Sequence, residues 1–245
     1  MTQGIAKSET SPATGRKAQP RALIARCTPA DVPQLWEVYR DACQGTRFCY
    51  FWPSSLAAMG AWSNLRFRKR FQDPTDQQFK VVDNTENGGR GRIVAFARWM
   101  VPPALDEALR EGFRTYGEVE SGLPEGVEIP EMAEGAPAEA WRGFFEPVKA
   151  ATVKWDSKHK LGLSLLCVHP SYQGRGLSTA LLKPMLDLAD QHGVTAYLEA
   201  LENATPVYEK LGFEKVDEIV YDESKTGHEG VRRVDIMLKE PRTTT

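Results

Sequence analysis

Hydrophobic and polar residues follow clear periods in the second half of the chain, and these periods predict its elements. The apolar run LGLSLLCVHP predicts a buried strand, and leucines at helical spacing over residues 176–193 predict a helix closed by Gly193. Pro184 lies inside this helix and predicts a kink around residues 180–183, because proline removes an internal hydrogen bond. The segments VTAYLEAL, TPVYEKLG, FEKVDEIVYD and VRRVDIMLKE then predict a strand, a short helix and two further strands.

The first half of the chain predicts two helices between strands. The first strand is ALIARCTP, and the first helix begins after Thr28, with Pro29 at its first position and Asp31 in place for a capping box. A second helix follows over about residues 54–71. Two strands within residues 79–101 then flank the polar connector NTENGGRG, which predicts a hairpin.

The complete element order predicts the fold class and the domain organisation. A helix over residues 138–155 precedes the regular second half, so the order is β-α-α-β-β-α-β-α-β-α-β-β. This order favours an α/β (α+β) fold with a mixed sheet over a purely parallel one. We expect a disordered N-terminal tail over residues 1–20, a single domain over residues 21–240 with an insertion at about 102–137, and a C-terminal tail over residues 241–245.

Composition places the chain among ordinary globular proteins. Of its 245 residues 41% are hydrophobic, and the formal net charge is −2, so nothing in the charge argues for a nucleic-acid partner. No apolar run is long enough to span a bilayer, which predicts no membrane partner. The four cysteines form no C-x-x-C pair and the four histidines no ligand cluster, which predicts reduced thiols in a cytoplasmic protein without a metal site.

A glycine-rich junction joins the predicted strand to the predicted helix, with Gln173, Gly174, Arg175 and Gly176 in succession. A helix N-terminus leaves its first N–H groups unpaired and carries partial positive charge, and glycines let an anion approach the backbone. The junction is therefore typical of a phosphate-binding loop, although a plain turn would have the same composition. Neither G-x-x-x-x-G-K-S/T nor G-x-G-x-x-G is present, which excludes an NTPase loop and the dinucleotide fingerprint.

Three segments in this order, LSLLCVHPSYQGRGLSTALL, AYLEA and PVYEKLGF, resemble the GNAT superfamily of acetyl-CoA-dependent N-acetyltransferases. The cofactor motif of that family, Q/R-x-x-G-x-G/A, corresponds to Gln173 through Ser178, and Ser178 departs from it because the family prefers glycine or alanine there. The resemblance implies a mixed central sheet of six to seven strands flanked by helices and splayed between the fourth and fifth strands. It also implies that acetyl-CoA is the cofactor.

The resemblance further implies which residues contact the cofactor. The backbone of the fourth strand would pair with the pantetheine arm, and the glycine-rich loop would hold the pyrophosphate. Asn203 would bond the pantetheine or, alternatively, cap the short helix that follows. The implied cofactor-binding residues are Leu166, Cys167, Val168, Gln173, Gly174, Arg175, Gly176, Leu177, Ser178, Thr179, Asn203 and Tyr208.

Catalytic roles follow from the same resemblance. Tyr208 matches the family tyrosine that protonates the leaving thiolate, although a tyrosine that only packs its ring on the sheet would occupy the same position. Glu199 is the candidate general base, and Ser164 and His169 remain alternatives because each brackets the fourth strand. A backbone N–H near Leu166 is the expected donor to the developing oxyanion.

The acceptor is predicted only as a class of amine. Eleven Asp and Glu residues oppose three Arg residues between positions 104 and 146, and this acidic insertion would attract a cationic amine. Aromatic residues near the first two helices would line an apolar pocket: Phe48, Tyr50, Phe51, Trp52 and Trp62. We expect a small-molecule acceptor (a polyamine, an aryl or alkyl amine, an amino-acid derivative or an antibiotic-like metabolite) and a monomer or homodimer. The alternatives are a protein or peptide N-acetyltransferase and an inactive acyl-CoA-binding sensor.

Overall fold

The structure is a computed structural model, and it describes residues 22–84, 91–105 and 115–242. The predicted N-terminal tail, most of the connector NTENGGRG and part of the acidic insertion lie outside the described residues.

Seven strands form one mixed sheet in the order β1-β2-β3-β4-β5-β7-β6. All neighbouring strands are antiparallel except β4 and β5, which are parallel. The predicted α/β class and mixed sheet are confirmed. The strands are β1 (Ala22–Arg26), β2 (Asp76–Asp83), β3 (Arg92–Met100), β4 (Leu161–Val168), β5 (Ala196–Leu201), β6 (Glu214–Asp222) and β7 (Val231–Lys239).

Helices cover both faces of this sheet. The predicted long helices are present and begin and end within two residues of their predicted limits, except that a short 3-10 turn over Pro29–Asp31 precedes the first one. The described α-helices are α1 (Val32–Cys43), α2 (Leu56–Arg70), α3 (Glu118–Ser121), α4 (Ala138–Lys154), α5 (Leu177–Gln191) and α6 (Thr205–Glu209).

Local chemistry explains several of these boundaries. The Asp31 carboxylate accepts hydrogen bonds from the backbone N–H of Thr28 at 2.6 Å and from its hydroxyl at 3.1 Å, which holds the entry to α1. Lys80 on β2 reaches the same carboxylate at 2.6 Å. Helix α5 is continuous through Pro184, so the predicted kink does not interrupt it.

The two faces of the sheet bury different side chains. Helix α5 packs an aliphatic stripe on one face, with Leu181 and Leu182 fully buried against strands β3 to β5. Helices α1, α2 and α4 pack on the other face, where aromatic residues such as Phe51 and Phe144 form the core. Each face is a separate cluster of buried residues, so the sheet separates an aliphatic layer from an aromatic one.

Strands β4 and β5 diverge and leave a gap in the middle of the sheet. They pair only over Leu161–Leu163 and Ala196–Leu198, although β4 continues along β3 to Val168 and β5 continues along β7 to Leu201. A bulge marks the point of divergence, because Ser164 has no partner in the β3–β4 register. The predicted splay between the fourth and fifth strands is therefore present.

Among the helices that the structure describes, none combines the length and the apolar character needed to cross a membrane.

Candidate functional site

Beyond Leu163, the edge of β4 that faces the gap has no strand partner. The N–H of His169 donates to the carbonyl of Val94 on β3 at 2.9 Å. Because backbone groups alternate in direction along a strand, those of Cys167 also face β3, whereas those of Leu166 and Val168 point into the gap. The Val168 carbonyl accepts a hydrogen bond from the Gln173 side chain at 3.3 Å. Of the three predicted contact residues on β4, Leu166 and Val168 therefore present their backbone to the gap, and Cys167 is a buried core residue.

The glycine-rich loop lies at the end of this gap and leads into α5. Gly174 and Gly176 adopt positive φ angles of +75° and +77°, and a Cβ at either position would meet no atom within 4 Å. The first helical hydrogen bond runs from the N–H of Ala180 to the carbonyl of Gly176, so the N–H groups of residues 177–179 have no partner within the helix. Alternating left-handed residues turn successive N–H groups toward one point, which is the geometry of an anion-binding nest.

The side chains of this loop have different environments. Leu177 is buried in the aliphatic core, so only its backbone is available to a ligand. Arg175 folds back: its Nη2 donates to the carbonyl of Ser171 at 2.9 Å, and its guanidinium lies 4.6 Å from the ring centroid of Tyr172. The cation predicted for the loop is thus held at the base of the loop rather than extended away from it.

Tyr208 on α6 lies on the aliphatic face, beside the gap. It is 7% exposed, belongs to the cluster under α5 and packs its ring edge-on to Phe213. Its hydroxyl has no hydrogen-bond partner among the residues that the structure describes. Burial raises the pKa of Tyr208 and the nearby Cys167 raises it further, so the phenol stays protonated at neutral pH.

Glu199 on β5 faces the opposite side of the sheet. Its neighbours Leu198 and Ala200 point into the cluster under α5, so the alternation of side chains places Glu199 on the face covered by α1, α2 and α4. Burial raises the pKa of the Glu199 carboxyl, although the neighbouring Tyr197 hydroxyl lowers it in part. The candidate acid Tyr208 and the candidate base Glu199 therefore approach the gap from opposite faces.

The other two candidate bases already have partners. The Ser164 hydroxyl accepts a hydrogen bond from Nε of Arg98 at 2.8 Å and donates to the Arg98 carbonyl at 3.2 Å. The His169 ring accepts the backbone N–H of Ser171 at Nδ1, and its Nε2 lies 3.1 Å from Nη2 of Arg92. Ser164 and His169 are thus already engaged in hydrogen bonds, and Glu199 stays the candidate base.

Asn203 lies exposed in the turn between β5 and α6. The residue at the N-cap of α6 is Ala204, and no side chain caps that position. The capping role considered for Asn203 is therefore wrong. The hydroxyl of Thr205 does not cap the helix either, because it donates to the Asp235 carboxylate at 2.7 Å.

The predicted aromatic residues divide between the core and two openings on the face of α1, α2 and α4. Phe51 and Trp52 are core residues, and Tyr50 stacks on His228 with ring centroids 3.5 Å apart. Phe48 lines an inner cavity of about 120 Å³. Trp62 lines a wider outer groove of about 1010 Å³ between α2 and α4.

The inner cavity contains residues that the sequence did not single out. It lies against the bulge of β4, where Ser164 and Leu165 form part of its lining. It shares Arg66, Trp141 and Phe145 with the outer groove, so the two openings are adjacent. These residues come from distant parts of the chain and form no motif, so the sequence alone does not indicate that they lie together.

The described part of the acidic insertion is anchored to α2. The Trp62 indole N–H donates to the carbonyl of Pro130 at 2.7 Å, and Arg68 donates to the carbonyl of Ser121 at 2.6 Å. Of its predicted acidic residues, Glu131 lines the outer groove and pairs with Arg142 at 3.1 Å. The insertion therefore covers one side of the groove, but it contributes no carboxylate to the described lining of the inner cavity.

Comparison with known proteins supports the interpretation of this geometry. Residues 148–227 match the family model of the acetyltransferase (GNAT) domain. An acetyltransferase of the fungus Stachybotrys chartarum is 28% identical over 170 residues, which are 69% of this chain and 68% of that protein.

Solved structures show the same fold at low identity. One is described as histone acetyltransferase HPA2 and related acetyltransferase from Corynebacterium glutamicum ATCC 13032; it is 20% identical with a TM-score of 0.55 and covers 91% of this chain and 98% of its own. An acetyltransferase of Acinetobacter baylyi ADP1 is 15% identical with a TM-score of 0.51, covering 94% and 97%. Residues 148–227 thus match a GNAT acetyltransferase domain, the chain is similar in sequence to an acetyltransferase, and it shares the fold of these structures.

Proposed function

We propose that the protein transfers the acetyl group of acetyl-CoA to the primary amine of a small molecule, by direct attack in a ternary complex. One observation carries this proposal: the gap between β4 and β5 has a glycine-rich loop and a helix N-terminus at its end, and a small cavity lies beside the bulge at which the gap begins. In this proposal residues 21–240 act as one acetyltransferase domain.

The residues around the gap fit the shape and charge of acetyl-CoA. Leu166 and Val168 offer backbone groups to the pantetheine arm, in the manner of a strand added to a sheet edge. The N–H groups of the glycine loop, with residues 173–179, suit a pyrophosphate. Asn203 lies beside the same gap, and we retain its contact with the pantetheine as part of the proposal. When bound, acetyl-CoA supplies the activated thioester.

The chain itself supplies three functions at the gap. The Leu166 N–H points into the gap and would stabilise negative charge on the acetyl oxygen. Glu199 would accept a proton from the attacking amine, directly or through water, while the bond from nitrogen to the acetyl carbon forms. Tyr208 would give its Oη proton to the sulfur that leaves as the carbon–sulfur bond breaks.

The small volume of the inner cavity favours a small acceptor. The cavity at the bulge has a volume of only about 120 Å³, and helices α2 and α4 and Trp62 with its bond to Pro130 surround its approach. A peptide acceptor is the second candidate, because the outer groove of about 1010 Å³ is open and large enough for a few residues. The two candidates predict opposite orders of activity for free amines and peptide amines.

The experiment is to measure release of free CoA thiol from acetyl-CoA with a panel of primary amines and with peptides that have a free N-terminus. The proposal predicts turnover with at least one small amine and much weaker turnover with every peptide. Preference for peptides would favour the second candidate. Tight binding of CoA without thiol release for any amine or peptide would overturn both.

A further inference from the structure

The inner cavity has aromatic walls and a cationic floor. Its apolar lining is Tyr39, Phe48, Phe67, Trp141, Phe145 and Leu165. Its polar lining is Ser63, Ser164 and two arginines, Arg66 on α2 and Arg98 on β3. No aspartate or glutamate belongs to this lining within the described parts of the chain, so the charge of the cavity is positive.

The positive charge of Arg98 is only weakly balanced by protein anions. It is 6% exposed, and its Nε donates to the Ser164 hydroxyl, a neutral partner. The nearest Asp76 oxygen lies 3.9 Å from Nε, which is too far for a hydrogen bond, and this Oδ1 has no hydrogen-bond partner. The other oxygen of Asp76 accepts a bond from Arg70 at 2.8 Å. One buried carboxylate therefore stands among three arginines.

No protein anion contacts Arg66 within the described part of the chain. Among the residues that the structure describes it makes no hydrogen bond and no ion pair, and its guanidinium lies 4.3 Å from the ring centroid of Trp62. Burial, with a smaller effect of neighbouring Arg70, lowers the pKa of Arg98 to about 9, and burial also lowers the pKa of Arg66. Both groups remain cations at neutral pH, and both would be stabilised by an anion in the cavity.

The position of the cavity links this anion to the reaction. Arg98 is bonded to Ser164, the bulged residue of β4, and Leu166 with its free N–H lies two residues further along the same strand. An anion held by Arg66 and Arg98 would thus lie next to the gap in which the acetyl group is transferred. An acceptor bound in this way must carry its anionic group close to its amine.

We propose that Arg66 and Arg98 bind the carboxylate of the acceptor, and that the acceptor is an amino acid with an apolar side chain. This inference rests on the proposed function and narrows it. A planar carboxylate matches the paired N–H groups of a guanidinium, and the aromatic walls suit an apolar side chain. A polyamine would instead bring more positive charge to two buried arginines that share one nearby carboxylate, Asp76.

The first test compares amines that differ only in the carboxylate. Thiol release from acetyl-CoA is measured with phenylalanine against 2-phenylethylamine, leucine against 3-methylbutylamine, and tryptophan against tryptamine. We expect kcat/KM to be at least about 100-fold higher for the amino acid of at least one pair, because a site built around a polar group rejects the analogue that lacks it. Equal or better turnover of the decarboxylated amines overturns the inference and leaves the proposed function standing, whereas no thiol release with any amine overturns the proposed function.

A further arm identifies the anion. The phosphonate analogue of phenylalanine, 1-amino-2-phenylethylphosphonate, presents a different oxyanion at the same distance from the amine. Weaker turnover of this compound than of phenylalanine supports a carboxylate site. Stronger turnover would assign the two arginines to a phosphate-like group and overturn the carboxylate.

The second test uses variants at the cavity. Arg66→Gln is the primary variant, because Arg66 is only half-buried and its loss breaks no hydrogen bond. We expect it to lower kcat/KM for the preferred amino acid by at least about tenfold and to leave kcat/KM for the decarboxylated amine unchanged.

Arg40→Gln is the matched control, since Arg40 lies on α1 and pairs with Asp41 away from the cavity. If Arg66→Gln lowers kcat/KM equally for an amino acid and its decarboxylated amine, the assignment of Arg66 to the carboxylate is overturned. The same loss of kcat/KM in Arg40→Gln would also overturn it. Calorimetric titration of the CoA-bound variants with the N-acetylated amino acid gives a readout independent of turnover.

Discussion

The two faces of the sheet differ in the chemistry that they bury. The face under α5 is mainly aliphatic, and most of its buried residues lie between Leu161 and Phe213 in the sequence. The face under α1, α2 and α4 is aromatic and joins residues from almost the whole chain, including the two arginines of the inner cavity. The first face holds the residues expected to bind acetyl-CoA, and the second encloses the space proposed for the acceptor.

This difference indicates how one scaffold accommodates different acceptors. The cofactor side depends mainly on backbone groups, which many side chains permit, so it is recognisable in a short stretch of sequence. The acceptor side depends on side chains such as Arg66 and Trp141, which are more than 70 positions apart. Substitutions on the two faces should therefore separate cofactor binding, chemistry and acceptor choice.

The largest effect is expected from Gly176→Asp in the glycine loop. A carboxylate about 4 Å from a phosphate costs about 4 kcal/mol near a protein surface, which corresponds to a loss of about 1000-fold in CoA affinity. Calorimetric titration with CoA measures the change. Gly176→Asn is the control, because asparagine has the same size and tolerates a positive φ but carries no charge. Equal losses in both variants would contradict an electrostatic role for this loop.

The next effect is expected from Tyr208→Phe. Removal of the phenol should lower kcat by about 100-fold, because a positioned acid contributes at least that much to proton transfer. The KM for acetyl-CoA should change much less, since the ring and its packing on Phe213 remain. Tyr221→Phe is the matched control: Tyr221 is also buried, but it lies on the other face of the sheet, where its hydroxyl donates to the carbonyl of Ala140. An unchanged kcat in Tyr208→Phe would remove Tyr208 as the acid.

A smaller effect on rate is expected from Glu199→Gln, together with a change in pH dependence. If Glu199 is the base, kcat should fall by about tenfold, less than for a sole base, because water can also take up the amine proton. Burial raises the pKa of Glu199 above its ordinary value of 4.5, so kcat/KM of the native enzyme should rise with pH through that raised pKa. The variant should lack this rise in its pH profile.

The same substitution tests the sign of the shift through stability. A carboxyl with a raised pKa binds its proton more tightly in the folded state, so its contribution to stability is lost as pH rises from the unfolded pKa through the folded one. Glu199→Gln should therefore increase the free energy of unfolding at neutral pH, measured with urea. Decreased stability of the variant at neutral pH, or a pH profile with the same rise, would contradict this assignment.

The smallest effect is expected from Ser178→Ala, which restores the residue that the family prefers. The backbone N–H at this position remains, so CoA affinity should change by at most about threefold, or about 0.6 kcal/mol. Calorimetric titration with CoA measures this change, and Gly176→Asn is titrated in parallel for comparison. A much larger loss would show that the Ser178 hydroxyl is itself a main phosphate ligand.

Local patterns predicted much of the fold because their causes are local. The spacing of leucines predicted α5, and Thr28 with Asp31 predicted the entry to the first helix, since a capping box involves residues only three positions apart. The sequence also predicted the splay of β4 from β5, but through resemblance to a family. Asn203 shows the limit of local reasoning: a capping residue type stood near a helix start, but the helix begins one residue too late for Asn203 to cap it.

The sequence by itself predicted the order of the long elements and the glycine loop, because each depends on residues that are neighbours along the chain, and its resemblance to a family implied Tyr208 as a candidate acid. Only the tertiary structure decided that Tyr208 and Glu199 approach the gap from opposite faces. It alone brought Arg66 and Arg98 together at the bulge of β4. The physical reason is that burial, charge balance and enclosure are properties of contacts between distant segments, and hydrophobic periodicity carries no information about which segments will meet.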